Sequence, residues 1–110
     1  MEIIEDIKGD VDVLTLKGRL DAGSTKSIKE KINSLVKKNR ASIVLDMGSV
    51  DFIDSSGLGS LVSCLRLVNK MEGDIKIASL QDQVRGIFEL TRLHRVFQIF
   101  DDSNTAVNNF

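Results

Sequence analysis

The sequence predicts an α/β fold: a mixed four- to five-stranded β-sheet with α-helices packed on it, in the order β-β-α-β-α-β-α. Three observations carry that expectation. Alternating or β-branched apolar runs mark short strands, and apolar residues at helical spacing lie between them. One uninterrupted run, Ile43-Val44-Leu45, has the character of a strand covered on both faces. Strands that alternate with helices pair mostly in parallel, through right-handed crossovers.

Taken in order, Ile3, Ile4 and Ile7 lead into Lys8-Gly9-Asp10, after which Val11, Val13 and Thr15 alternate with Asp12, Leu14 and Leu16. This reads as a hairpin turning at Gly9, which tolerates the positive φ of a tight turn. Beyond Gly18, the residues Ile28, Ile32, Leu35 and Val36 form a helical stripe, with Ser24 or Thr25 as its cap. The run Ile43-Val44-Leu45 follows as the expected sheet centre. A second helix begins at or near Ser55, carries Leu58, Leu61, Val62, Leu65 and Val68 on one face, and is placed to end at Gly73. Ile75 and Ile77 alternate with Lys76 and Ala78 as a short strand, and Val84, Ile87, Phe88 and Thr91 mark a third helix. Leu93, Val96, Phe97, Ile99 and Phe100 are expected to cap the core, and the polar tail, residues 102–110, is expected to fray.

At 110 residues the chain is the size of one domain, so 1–110 is read as a single unit. Hydrophobic residues make up 42% and charged residues 28%, a balance that buries a core and differs from that of disordered chains. Fifteen basic and 16 acidic residues leave a net charge of -1, which offers no general attraction to nucleic acid or to an anionic membrane. Lys26, Lys29, Lys31, Lys37, Lys38 and Arg40 read as a solvated helix face, because no aromatic residues interleave with them to stack on bases. The acidic start and the lack of an apolar run near ~18 residues lead us to expect a cytoplasmic chain that does not engage a membrane. One cysteine, Cys64, and one histidine, His94, provide no soft-ligand set, so neither a metal nor a cofactor is expected. Cys64 reads as a small filler beside its apolar stripe, and with no apolar stripe left exposed the expected state is a monomer.

One segment stands apart, Phe52-Ile53-Asp54-Ser55-Ser56-Gly57-Leu58-Gly59-Ser60, between a buried strand and an amphipathic helix. Strand-to-helix turns at the carboxyl ends of strands are where α/β sheets place ligands. The first N–H groups of a helix lack internal partners and favour anions, so this is a seat for phosphate. The plain structural alternative is that Ser55 or Ser56 merely caps the helix. Against it, two serines exceed what one cap needs. Gly57 and Gly59 each cost about 1 kcal/mol relative to Ala inside a helix, which points to close approach by a partner backbone or a phosphate group. Enzymatic readings fit poorly. A nucleophile elbow needs Gly where Ile53 stands, and a P-loop needs Gly-Lys-Ser/Thr where Gly59-Ser60-Leu61 stands. His94 reads as a helix-end histidine, and Asp21, Asp46, Asp51 and Asp54 as turn residues and caps in preference to cation ligands.

The chain resembles the STAS domains, and within them the stand-alone anti-sigma factor antagonists of bacteria. The similarity lies in Gly18-Arg19-Leu20-Asp21-Ala22, in Ile43-Val44-Leu45-Asp46 and above all in Asp54-Ser55-Ser56-Gly57-Leu58-Gly59. It implies a non-enzymatic switch in a partner-switching pathway. The unphosphorylated form binds an anti-sigma factor that is also a serine kinase and so frees a sigma factor. Phosphorylation of Ser55 releases the kinase, and a serine phosphatase resets the switch. By the same resemblance Asp21, Asp54, Ser55, Ser56, Gly57 and Leu58 form the partner-binding surface. Arg19 departs from the family pattern, since many relatives carry an acidic residue there. The competing expectation is a STAS scaffold subunit of a lipid-transport or stress-sensing complex, using this surface without phosphorylation.

Overall fold

The computed structural model describes residues 1–110. Its first two strands, β1 (Glu2–Lys8) and β2 (Val11–Leu20), pair antiparallel across the turn Gly9-Asp10. Gly9 takes φ +64°, the left-handed geometry that lets so short a turn match the strand twist. After β2 the chain alternates: α1 (Thr25–Lys37), β3 (Ser42–Ile53), α2 (Ser55–Asn69), β4 (Asp74–Ala78) and α3 (Asp82–Leu90). A short 3-10 turn at Leu93–Arg95 then leads to β5 (Ile99–Phe100) and α4 (Ser103–Asn108). The strands stand in sequence order, β1-β2-β3-β4-β5, and every pair after the first is parallel. The expected order therefore holds through α3 and continues with β5 and α4.

Strand β3 is the sheet centre, with Ile43, Val44 and Leu45 fully buried. Period-2 alternation sends Ile43 and Leu45 to one face and Val44 to the other. The first face carries the main core, closed by Ile28, Ile32 and Leu35 of α1, Leu61, Leu65 and Val68 of α2, and Val84 and Phe88 of α3. Phe97 completes it edge-to-face on Phe88, at 6.2 Å between ring centres. Val96, expected among the core-capping residues, is instead 51% exposed, because the turn at Leu93–Arg95 rotates it outward.

The opposite face holds a smaller cluster, Val11, Val13, Val44, Ala78 and Ala106. Its cover is the tail itself. Residues 102–110, expected to fray, fold as α4, with the Asp102 carboxylate accepting from the Thr105 N–H and Ala106 buried. The hydrogen bonds at this cap hold the Asp102 carboxyl below the usual carboxylate range. Ser103 adds a hydrogen bond to Asp46 of β3. The same tail buries Lys76, whose ammonium bonds to Asp74 and Gln98 and lies 4.7 Å from the centre of the Phe110 ring.

Two helix ends differ from expectation. Ser24 occupies the cap position of α1 but makes no side-chain cap bond. Gly73 does not supply the left-handed residue after α2; Glu72 does, at φ +61°. Gly73 is instead set by proximity, since a Cβ there would lie 2.2 Å from the Ala41 carbonyl oxygen.

Cys64 is buried against the core, and that burial pushes its thiol up to about 11 from 9.0, partly offset by the nearby Lys29 charge. An unfolded thiol ionises first as pH rises, so unfolding releases a proton between about pH 9 and 11 and stability falls through that window. We expect the wild type to lose roughly 2 kcal/mol there relative to Cys64→Ala, measured as the difference between their pH–stability curves.

Candidate functional site

The site is built where β2 and β3 end side by side. Their parallel register pairs Leu20 with Ile53, so the next residues, Asp21 and Asp54, leave the sheet from adjacent positions. The register slips twice before this point, between Thr15 and Lys17 and between Gly18 and Arg19, each time with one extra residue on β3; Gly18 takes φ +117° and Leu20 lies in the core. The Asp54 N–H donates to the Leu20 carbonyl at 3.3 Å, tying the two exits together.

Asp54, and not either serine, caps α2. Its backbone is extended and its Oδ1 accepts from the Gly57 N–H at 2.9 Å. An Asp cap satisfies the orphan donor that a serine would otherwise serve. The capping alternative for Ser55 and Ser56 is therefore overturned: both are exposed at the first two positions of the helix, and their hydroxyls are released from that duty. Ser60, one turn on, is buried and donates to the Gly57 carbonyl at 2.7 Å.

Asp21 is fixed just as firmly. Its Oδ1 accepts from the Gly23 N–H at 3.0 Å, and its own N–H donates to Ser24 Oγ at 2.9 Å. Ser24 Oγ in turn donates to the Asp21 carbonyl, which explains why Ser24 leaves α1 uncapped. Two carboxylates thus leave neighbouring strand ends on hydrogen-bonded turns. Arg19 lies beside them, its guanidinium carbon 3.8 Å from the centre of the Phe52 ring and its Nε 3.7 Å from Asp21 Oδ2. That stack was not foreseen. Alternation with the core residues Leu20 and Ile53 puts Arg19 and Phe52 on one face, but only the register reveals that they meet.

The two glycines separate. A Cβ on Gly57 would fall 2.1 Å from the Leu20 carbonyl oxygen, so this glycine admits the chain's own backbone and not a partner's. A Cβ on Gly59 would meet nothing within 4 Å. We expect Gly57→Ala to cost about 1 to 3 kcal/mol by overpacking, and Gly59→Ala to add up to about 1 kcal/mol from helix propensity, both read by urea denaturation. Of the six residues expected to form the surface, Asp21, Asp54, Ser55 and Ser56 reach it, whereas Gly57 and Leu58 are buried beneath and shape it from inside.

The remaining candidates take structural places. Asp46 and Asp51, expected as turn residues, both lie within β3; Asp46 Oδ1 accepts from the Gly48 N–H at 3.0 Å where the register against β2 slips. His94 Nδ1 lies 3.3 Å from the Phe88 carbonyl, at the end of α3. No helix is long and apolar enough to cross a membrane.

A mixed sheet whose parallel strands deliver an exposed serine to the first turn of a capped helix defines a small α/β domain with its candidate surface at the strand ends. The chain belongs to the STAS domain family, whose model matches residues 2–106. Its relatives include the anti-sigma-B factor antagonist of Bacillus subtilis, 28% identical over 110 residues and matched over 97% of this chain and 99% of that protein. Among solved structures, Thermotoga maritima TM1081 superimposes with a TM-score of 0.91 at 25% identity, covering 97% of this chain and 92% of that one. The Bacillus cell fate determinant SpoIIAA, solved in its phosphorylated form, shares the fold at a TM-score of 0.76 and 19% identity, with 98% of each chain covered.

Proposed function

We propose that this protein is a cytoplasmic, monomeric anti-sigma factor antagonist whose binding is switched at Ser55. In its unmodified state the surface of Asp21, Asp54, Ser55 and Ser56, backed by Gly57 and Leu58, docks an anti-sigma factor that is also a serine kinase, and a sigma factor is freed. Transfer of phosphate from ATP to the Ser55 hydroxyl breaks the contact, and a phosphatase restores it. The chain itself supplies no catalytic group.

The observation that carries this reading is the exposure of Ser55 at the start of a helix already capped by Asp54. A hydroxyl without a structural task, at a position that stabilises anions, can be esterified without unfolding its surroundings. The relatives named as anti-sigma factor antagonists support the partner class.

The test is intact-mass measurement after incubation with the cognate kinase and Mg-ATP. We expect one phosphate on the wild type and on Ser56→Ala, and none on Ser55→Ala. Loss of the label only in Ser56→Ala would move the switch to the neighbouring serine. No label on any form would favour a scaffold role for the same surface.

A further inference from the structure

Helices α1 and α2 pack side by side, and a groove of about 300 Å³ runs along their seam. Its lining is cationic: Lys29 comes from α1, Arg66 from α2, and Lys70 from the residue after α2. Lys29 and Asn33 are four residues apart on one helix face, and Ser63, Arg66 and Lys70 follow at three and four on the other, so two facing stripes converge. No carboxylate lines the groove, and Cys64 and Leu67 are its only hydrophobic residues.

These three cations are also unspent. The chain's ion pairs engage Lys8, Arg19, Lys26, Lys31, Arg40, Lys76 and Arg85, and none engages Lys29, Arg66 or Lys70. On α1 itself, Lys26 and Lys31 find Glu30 and Glu5, while Lys29 between them does not. Arg66 and Lys70 complement the negative end of α2, but Lys29 in the first half of α1 has no such role. Lys29 lines the groove together with Cys64, which packs into the core beneath it. With a net charge of -1, the molecule as a whole does not create this positive field. Multiply charged, hydrogen-bonding anions fit such a lining, and apolar ligands do not.

We propose that the α1–α2 groove binds a small, multiply charged phosphate compound, held by Lys29, Arg66 and Lys70 with Asn33 and Ser63 as neutral partners. The site is distinct from the Ser55 surface. Arg66 lies further along the same helix as Ser55, about 16 Å away at the α-helical rise.

The probe is inorganic pyrophosphate, titrated calorimetrically and by amide NMR without divalent metal at low salt. We expect saturable one-to-one binding, with shifts centred on residues 29–33 and 63–70. Lys29→Ala combined with Arg66→Ala should weaken it by about tenfold or more, since both remove charge-assisted hydrogen bonds. Lys37→Ala combined with Lys38→Ala removes two cations that lie outside this groove and should change affinity less than twofold. Ser55→Asp should leave it intact, which separates this groove from the start of α2. Absence of saturable binding, equal loss in both double variants, or shifts centred on Ser55 to Gly59 would each overturn the proposal. Circular dichroism of every variant establishes that it folds.

Discussion

Arg40→Ala is expected to lower the stability of the domain by about 3 to 5 kcal/mol, the cost of stranding a buried carboxylate. Asp12 is fully buried on β2, and Arg40 Nε reaches its Oδ2 at 2.6 Å. The Asp12 Oδ1 has no hydrogen-bond partner in the chain, so this one ion pair carries most of the compensation. Arg40 also donates from Nη2 to the Gly9 carbonyl at 3.3 Å, which pins the α1–β3 connection to the β1–β2 turn. The pair is asymmetric, because the Arg40 side chain is 28% exposed and can be rehydrated, whereas Asp12 cannot. Asp12→Ala should therefore cost less than Arg40→Ala, and the double variant should be more stable than Arg40→Ala alone. A double-mutant cycle by urea denaturation measures this coupling, and simple additivity would refute it.

The second large effect is on binding and not on folding. On the proposed function, Ser55→Asp is expected to weaken the complex with the proposed anti-sigma partner by about 100-fold or more, while leaving circular dichroism unchanged and Tm the same or slightly higher. A negative group at the first helical position is stabilised by about 0.3 to 1 kcal/mol, so the scaffold has no reason to rearrange. The partner meets a different surface. Asp21 and Asp54 already leave the sheet beside one another, and phosphate adds about -1.5 to -2 charges next to them. Desolvating that cluster against an acidic or apolar face costs several kcal/mol, and each 1.4 kcal/mol is about tenfold in affinity. A collapsed spectrum for Ser55→Asp would show that the switch works by unfolding instead.

Much of the fold was legible because its signals were redundant. Ile43-Val44-Leu45 declared a strand covered on both faces, and it stands at the sheet centre with all three residues fully buried. That pattern also implied a second covering layer, yet the tail was not recognised as its source. Helix α4 has only Ala106 and Val107 to offer a core, too little for an isolated helix to form. It gains its stability from closing Val11, Val13, Val44 and Ala78, contacts that exist only after the sheet is assembled. Lys76 was hidden for the same reason. Alternation placed it opposite Ile75 and Ile77, but its burial comes from Gln98 and Phe110, distant in sequence.

At the candidate site the position of the helix start was legible and its chemistry was not. Asp54, Ser55 and Ser56 are three consecutive good cap formers, and local sequence does not rank them. The choice falls to Asp54 because its N–H is held by the Leu20 carbonyl of the neighbouring strand. The same strand end explains Gly57, whose missing side chain makes room for that carbonyl. A glycine read as room for a partner proves to be room for β2.

The most direct test of the proposed switch is to titrate the proposed anti-sigma kinase with this protein before and after stoichiometric phosphorylation of Ser55, following both affinity and far-UV circular dichroism. A dissociation constant that rises by about 100-fold or more over an unchanged spectrum is the predicted result. Equal affinities for the two forms would contradict the account, whatever the identity of the kinase.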